Sequence, residues 1–144
     1  MSKGDVIVLA IAVPALAHAI GDGSYEADWR SLVAPYIAEH ARYGDFAGSG
    51  GARLRYLSIE ADAPRAAVVF QGGHAESFYK YAELFYDLRD LGVSFYALDP
   101  RGQGASDRLL PDHDKSHVDR WPDYVADLSP FVTPVVRPRA PVPV

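Results

Sequence analysis

Two glycine-containing segments of this 144-residue chain carry residues that could serve catalysis. The first is "FQGGHAES", residues 70–77, in which an apolar run ends at two glycines. Such a corner can point backbone N–H groups into a cleft, where they stabilise the oxyanion that forms when a carbonyl is attacked. The candidate donors are the N–H groups of His74 and Gly73. The same stretch also fits an ordinary turn between a strand and a helix, since glycine pairs usually mark turns.

The second segment is "ALDPRGQGASDR", residues 97–108, which also follows an apolar run. Its Gly102-Gln103-Gly104 could open a dinucleotide-binding fingerprint, but Asp107 stands where the third glycine of that fingerprint belongs. A phosphate site also needs a helix that starts at the loop, and the following "RLLPDHDK" is a poor helix start. Nucleotide binding is therefore disfavoured.

Composition excludes several other kinds of site. A net charge of -5 provides no basic surface for nucleic acid. The absence of cysteine excludes disulfides, thiolate nucleophiles and cysteine-rich zinc sites. His113, Asp114 and His117 could bind a metal only from a helix, and Pro111 with the flanking charges does not support one. We expect no metal site.

Strands and helices alternate around the two segments. Apolar or alternating runs predict strands over residues 53–61, 66–71 and 93–99. Of these, residues 66–71 have the form of a strand that is covered on both faces of a parallel sheet. Apolar residues at helical spacing predict helices over residues 29–40 and 78–92 and a third helix from Asp119. The apolar positions of the third helix are Trp121, Tyr124, Val125, Leu128 and Val132.

Individual residues predict where these helices begin, bend and end. Pro35 should kink or shorten the first helix. Ser77 can cap the start of the second helix and Gly92 its end. Asp119 should cap the third helix, and Pro130 should end it. Five prolines among the last fifteen residues argue against a further helix and against a central strand.

The order of the elements predicts an α/β fold, with a mostly parallel sheet and flanking helices. So few strands leave the fold incomplete, with an apolar edge and a half-covered face. Both features favour aggregation.

The N-terminus contains Lys3 and then "VIVLAIAVPALAHA", which ends in the small-x-small pattern of a signal-peptide cleavage site. Asp5 weakens this interpretation, and a buried strand or helix fits the same residues. A signal peptide would make the protein exported or membrane-associated. A buried segment would leave it cytoplasmic.

The segment "VVFQGGHAESFYKYAELFYDLRDLGVSFYALDPRGQGASDR", followed by "HVDRWPDYVADLSPFV", resembles the N-terminal half of the bacterial lysophospholipase and monoacylglycerol-lipase group of α/β-hydrolases. The resemblance covers about residues 53–132, and Gln71-Gly72 stands where many members carry His-Gly. The matching residues are Gly73, Glu76, Asp99, Arg101, Gly102, Gly104, Ser106, Asp123, Tyr124, Val125, Asp127 and Leu128.

This resemblance implies a serine ester hydrolase that acts through an acyl-enzyme on a lysophospholipid or another ester, without a cofactor. The His74 N–H would form half of the oxyanion hole. Asp99 and Arg101 would brace the loop beneath the nucleophile, and Glu76 would hold its corner rather than act as a base. The resemblance is also compatible with membrane association.

The family carries its nucleophile on Gly-x-Ser-x-Gly, followed by an acid and a histidine. This chain contains no such motif, and the nearest approach, Ser49 in "AGSGG", has alanine in the first position. We therefore expect a chain that is inactive alone. The resemblance places the nucleophile strand beside residues 66–71, so we also expect self-association through that strand. The alternative is a stable, non-catalytic interaction module that uses the exposed sheet edge.

The chain then divides into four parts. Residues 1–19 form a signal peptide or an apolar N-terminal segment, and residues 20–52 form a helical extension. Residues 53–133 form a partial α/β-hydrolase domain. Residues 134–144 form a proline-rich tail.

Overall fold

The computed structural model describes residue 20 and residues 22–140. The expected signal peptide or apolar segment, residues 1–19, lies outside the described residues, as do the last four residues of the tail. In the part of the chain that is described, no helix has the length and apolar character needed to cross a membrane.

The described strands form one mixed sheet in the order β1-β2-β4-β3. Their bounds are β1 Arg42–Ala47, β2 Arg53–Ile59, β3 Ala66–Gln71 and β4 Val93–Leu98. β2 pairs antiparallel with β1 and with β4, whereas β3 pairs parallel with β4. Parallel pairing needs a long crossover, and the helical segment between β3 and β4 supplies one. The α/β class and the three predicted strands are confirmed, and the described sheet is mixed rather than mostly parallel.

β1 is a strand that the sequence did not predict. It contains glycine and aspartate, which are depleted in strands, so its pairing with β2 defines it rather than its own propensity. Gly44 allows that pairing, because a Cβ at this position would lie 2.4 Å from the Tyr56 Oη. Residues 42–47 therefore belong to the sheet, although we expected them in a helical extension.

β4 lies in the interior of the sheet, and all six of its residues are buried. β3 lies at the edge of the described sheet. Only Ala67 of its six residues is buried, so the prediction that both faces of this strand are covered is wrong. Val68 in the middle of β3 is 39% exposed. A short apolar run shows that a strand is apolar, but it does not show whether neighbours cover the strand.

The first helical segment is continuous but changes its pitch. It comprises α1 (Tyr25–Asp28), a π-helical turn (Trp29–Val33) and α2 (Ala34–His40). Pro35 lies inside this continuous segment, directly after the π-helical turn, and has no N–H to donate to an earlier carbonyl. The irregularity expected from Pro35 is therefore a wide turn just before it, closed by the Ala34 N–H bonding to the Trp29 carbonyl.

The second helical segment begins and ends where the sequence predicts. The Ser77 Oγ accepts from the Tyr79 N–H at 3.5 Å, and Gly92 terminates the segment with φ +64°. Between them lie a 3-10 turn (Phe78–Tyr81), α3 (Ala82–Asp87) and another 3-10 turn (Arg89–Leu91). Leu84 is exposed, whereas its neighbour Phe85 is fully buried.

The third helix, α4 (Pro122–Phe131), corrects three predictions about its ends. Asp119 does not cap it, because the helix begins at Pro122 and Trp121 occupies the N-cap position without a side-chain cap bond. Pro130 lies inside the helix and does not end it. The chain continues into a π-helical turn (Val132–Val136) that extends into the proline-rich tail, because burial of Val135 and Val136 offsets the hydrogen bonds lost at proline.

The buried face of α4 matches the predicted apolar face only in part: Tyr124 is buried and Leu128 packs against the core, as predicted. Asp123 and Asp127 are buried together with Tyr124, whereas Trp121 and Val125 are 73% and 65% exposed. The polar residues turn inward because Asp127 has a buried cationic partner in Arg101.

Apolar side chains cover both faces of the sheet. On one face, the α4 segment packs Phe131 and Val136 against Leu54 and Tyr96. On the other face, the second helical segment packs Phe78 and Phe85 against Phe95 and Leu57. The two layers fix the carboxyl ends of β3 and β4, where the candidate site lies.

Candidate oxyanion site at the carboxyl ends of β3 and β4

The two glycine-containing segments meet at one edge of the sheet. β3 and β4 are parallel, so the segments that follow them, residues 72–77 and 99–106, lie side by side. Open α/β sheets bind ligands at this position. A cleft of about 270 Å³ lies there. Its lining residues are Gln71, Gly72, Gly73, His74, Pro100, Gln103, Trp121, Tyr124, Val125 and Leu128.

Glu76 closes the corner after β3. Its Oε2 accepts the Gly73 N–H at 2.8 Å, and its carboxylate also accepts from Lys80 Nζ and Tyr81 Oη. The bonds from Lys80, Tyr81 and Gly73, in that order of importance, lower the pKa of Glu76 from 4.5 to about 2. So weak a base does not suit proton abstraction near neutral pH, whereas a fixed carboxylate suits a structural role.

His74 lies next to this corner and lines the cleft. Its backbone N–H has no acceptor among the described residues, whereas the Gly73 N–H is taken by Glu76. Of the two candidate donors, His74 is therefore the one whose N–H is unpaired within the described part of the chain. The Nε2 atom of the His74 ring lies 2.9 Å from the Ser116 Oγ, and this hydrogen bond joins the corner to the loop before α4.

Gln103 holds the other side of the corner, a function that the sequence did not predict. Its side-chain Oε1 accepts the Ala75 N–H, and its Nε2 donates to the Tyr124 Oη at 3.3 Å. The residue is 3% exposed. Its position between two glycines was the only sequence signal available, and it does not show which groups the amide contacts.

Asp99 joins the two segments from beneath. Its Oδ1 accepts the Phe78 N–H at 2.8 Å, and its Oδ2 accepts from the Ser77 Oγ at 3.0 Å and the Ala105 N–H at 2.8 Å. Burial raises the pKa of this carboxyl, and the hydrogen bonds oppose that rise. Asp99 therefore fastens the start of the second helical segment to the loop after β4.

The glycines and the serine of the second segment shape that loop. Gly102 and Gly104 have φ +73° and +51°, and a Cβ on either would lie 2.0 Å from the His117 carbonyl oxygen or from Asp99 Oδ2, respectively. The Ser106 Oγ donates to the Asp99 carbonyl at 2.6 Å and accepts the Arg55 N–H at 2.8 Å. All three residues therefore contact protein groups, and none of them lines the cleft.

Arg101 ties this loop to α4 and to the β1–β2 turn. Its Nε and Nη2 donate to Asp127 Oδ2 and Oδ1 at 2.7 and 2.6 Å, and its Nη2 also donates to the Ser49 carbonyl at 2.7 Å. Asp127 in turn accepts the Ser49 N–H at 2.9 Å. Hydrogen bonding to Asp127 raises the pKa of Arg101. Ser49 is thus a loop residue of this network and lies outside the cleft.

The histidines of the loop before α4 do not converge on a common site. His117 Nε2 lies 3.2 Å from Asp119 Oδ1, whereas His113 lines a separate cavity beneath the corner. Within the described residues, no three histidine or carboxylate side chains are grouped so that they could hold a metal ion.

Comparison with known proteins supplies the family. The family model for "Serine aminopeptidase, S33" matches residues 62–144, more than half of the chain. The chain belongs to this hydrolase family. The matched region contains both segments of the candidate site and α4.

A curated relative of this family member is lysophospholipase L2 of Escherichia coli strain K12. It is 43% identical over 94 residues, which are 65% of this chain and 28% of the relative. The chain therefore spans less than a third of the length of that relative.

Solved structures confirm the α/β-hydrolase fold over part of its full extent. An esterase from Pyrococcus furiosus superposes with a TM-score of 0.52 and 13% identity, over 73% of this chain and 40% of the esterase. An epoxide hydrolase from Vigna radiata gives a TM-score of 0.50 and 17% identity, over 65% of this chain and 28% of the other. Identities this low show the fold alone.

Proposed function

We propose that this chain supplies the oxyanion-binding part of a carboxylic ester hydrolase that works through an acyl-enzyme. Two observations carry the proposal: His74 lines the cleft, and its N–H has no acceptor among the described residues. A donor that is fixed before the reaction stabilises the tetrahedral oxyanion without reorganisation, and losing one such donor costs about 10²–10³ in kcat. We assign no nucleophile, acid or catalytic histidine to this chain, because it contains no Gly-x-Ser-x-Gly motif.

The proposed substrate class is a lysophospholipid or a related lipid ester. Support comes from the name of the 43% identical relative and from the apolar wall of the cleft. That wall is formed by Trp121, just before α4, and by Val125 and Leu128 on α4. An acyl chain could lie against these side chains, since burying apolar surface is favourable.

The first experiment measures hydrolysis by the purified chain alone. We expect no turnover of lysophosphatidylcholine or of a short-chain ester, and no labelling by a serine-directed phosphonate, because the chain contains no Gly-x-Ser-x-Gly. Hydrolysis that the phosphonate abolishes would overturn this part of the proposal.

The second experiment reconstitutes the site. The chain is co-expressed with the part of E. coli lysophospholipase L2 that follows the matched segment, and the complex is purified. We expect lysophospholipid hydrolysis by the complex and none by either part alone. The matched control replaces the nucleophilic serine of the L2 fragment with alanine. A complex that co-purifies and remains inactive would contradict the proposed function.

The exposed edge of the sheet favours a second candidate function. β3 is an edge strand with no charged side chain, and Val68 is exposed on it. Edge strands that lack charges are templates for pairing with another chain. A non-catalytic interaction module would use this edge, and a stable oligomer of defined mass would support it.

A further inference from the structure

We propose that Gln103 is a positioning residue for the oxyanion donor, an inference that rests on the proposed function. Its amide reaches beneath the corner after β3 and bonds to the backbone there. Gln103 is almost completely buried, so its amide must find partners inside the protein. Both of its side-chain polar atoms have one: the Ala75 N–H and the Tyr124 hydroxyl.

The corner has three consecutive N–H groups with three different fates. The Gly73 N–H bonds to Glu76, and the Ala75 N–H bonds to Gln103. The His74 N–H between them is unpaired within the described part of the chain. Two side-chain acceptors thus hold the peptide units on either side of the proposed donor. Glu76 and Gln103 therefore fix the orientation of the His74 N–H without accepting a hydrogen bond from it.

The conformation of Ala75 explains why an acceptor is needed. Ala75 has φ +59° and is the only described residue other than glycine with a positive φ. The left-handed region is unfavourable for alanine because its Cβ crowds the following carbonyl. The hydrogen bond from the Ala75 N–H to Gln103 offsets that cost, and without it the corner should relax.

The flanking glycines bring Gln103 to this place. Gly102 and Gly104 both adopt positive φ, and neither has room for a Cβ. The resulting tight loop carries the Gln103 side chain to the back of the corner. Gly-Gln-Gly therefore inserts an amide beneath the donor, in contrast to the phosphate-binding role that glycine loops often have.

Hydrogen exchange of the full chain, followed by mass spectrometry, tests the contact without catalysis. We expect Gln103→Met to speed exchange in the peptide that contains Ala75 about tenfold, because one hydrogen bond is lost. Gln103→Glu should retain protection, since a carboxylate can accept from both the Ala75 N–H and the Tyr124 hydroxyl. Tyr124→Phe, which only loosens the amide, should give a smaller increase and serves if Gln103→Met does not fold. Unchanged exchange in both Gln103→Met and Tyr124→Phe would overturn the inference.

The reconstituted complex tests the consequence for catalysis. We expect Gln103→Met to lower kcat about 100-fold, near the effect of losing an oxyanion donor, with KM unchanged. Adding Ala75→Gly should restore part of kcat, because glycine adopts positive φ without a hydrogen bond. A variant that merely destabilised the fold would show no such rescue.

The outcomes separate the two proposals. If the wild-type complex is inactive, the proposed function fails, while hydrogen exchange still decides whether Gln103 holds Ala75. If the complex is active and Gln103→Met lowers neither kcat nor the protection of Ala75, the inference about Gln103 fails and the proposed function stands. Equal kcat in wild type and Gln103→Met, despite faster exchange, would also overturn the positioning role.

Discussion

Glu76 shows how one carboxylate can stabilise the corner over a defined pH range. Its pKa falls from 4.5 to about 2 because hydrogen bonds from Lys80, Tyr81 and Gly73 favour the ionised form. A depressed pKa in the folded state contributes stability above the unfolded pKa, and that stability is lost as the pH falls through the folded pKa. We expect Glu76→Gln to lower the urea midpoint at neutral pH, by an amount that shrinks between pH 4.5 and about 2. A difference that stays constant with pH would contradict this role.

Among the described ion pairs, we expect the loss of Arg101–Asp127 to lower the free energy of unfolding the most. Arg101 is 7% exposed and Asp127 is 1% exposed. Asp127→Asn leaves a buried guanidinium without its bidentate partner, and we expect a loss of about 3–5 kcal/mol in the free energy of unfolding. The control is Asp112→Asn, which breaks an exposed pair with Lys115 at 3.0 Å and should leave the free energy of unfolding nearly unchanged. If urea titrations gave equal losses of unfolding free energy for Asp127→Asn and Asp112→Asn, burial would not determine the contribution of an ion pair to stability.

The resemblance assigned Asp99 and Arg101 to the scaffold, and each has several scaffold contacts. The role of Gln103 could not be predicted, because its partners are brought together by two positive-φ glycines and by a helix 21 residues away in sequence. The oxyanion role of His74 stays a prediction.

Among the elements, the loop after β4 should be the least tolerant of added side-chain atoms. In Gly104→Ala, the new Cβ would displace Asp99 and break its bonds to the second helical segment. We expect a loss of at least about 3 kcal/mol in unfolding free energy. Gly50→Ala is the matched control, since Gly50 has φ +69° but open space around it, and it should cost only about 1–2 kcal/mol. Similar melting temperatures for the two variants would contradict the contact with Asp99.

The edge strand β3 should control self-association. Val68→Lys places a charge on an uncharged edge, and we expect it to reduce the oligomer fraction in sedimentation velocity. Leu32→Lys is the matched control, because Leu32 is 41% exposed but lies on the N-terminal helical segment. An equal effect of both variants would point to general hydrophobicity rather than to the edge.

Elements with strong local signals were predictable, and elements defined by pairing were not. Ser77 and Gly92 mark the second helical segment because a cap and a left-handed glycine act locally. β1 was missed because its existence depends on β2. The prediction that Pro130 ends α4 was wrong, because burial of Val135 and Val136 outweighs the local effect of proline.

For the whole molecule, the alternation of strands and helices was enough to predict the α/β class. The order of spaced motifs predicted the hydrolase family. The exposure of β3 depends on which strands lie beside it, and the sequence of a strand does not record this. The described sheet also represents only part of the fold, since the chain covers 40% of the P. furiosus esterase.

The most direct test of the proposed oxyanion site removes the donor itself. His74→Pro eliminates the backbone N–H, whereas His74→Ala removes the ring and keeps the N–H. In the reconstituted complex, we expect His74→Pro to lower kcat about 10²–10³-fold relative to His74→Ala. Equal kcat for these two variants would contradict the assignment of the His74 N–H as the oxyanion donor.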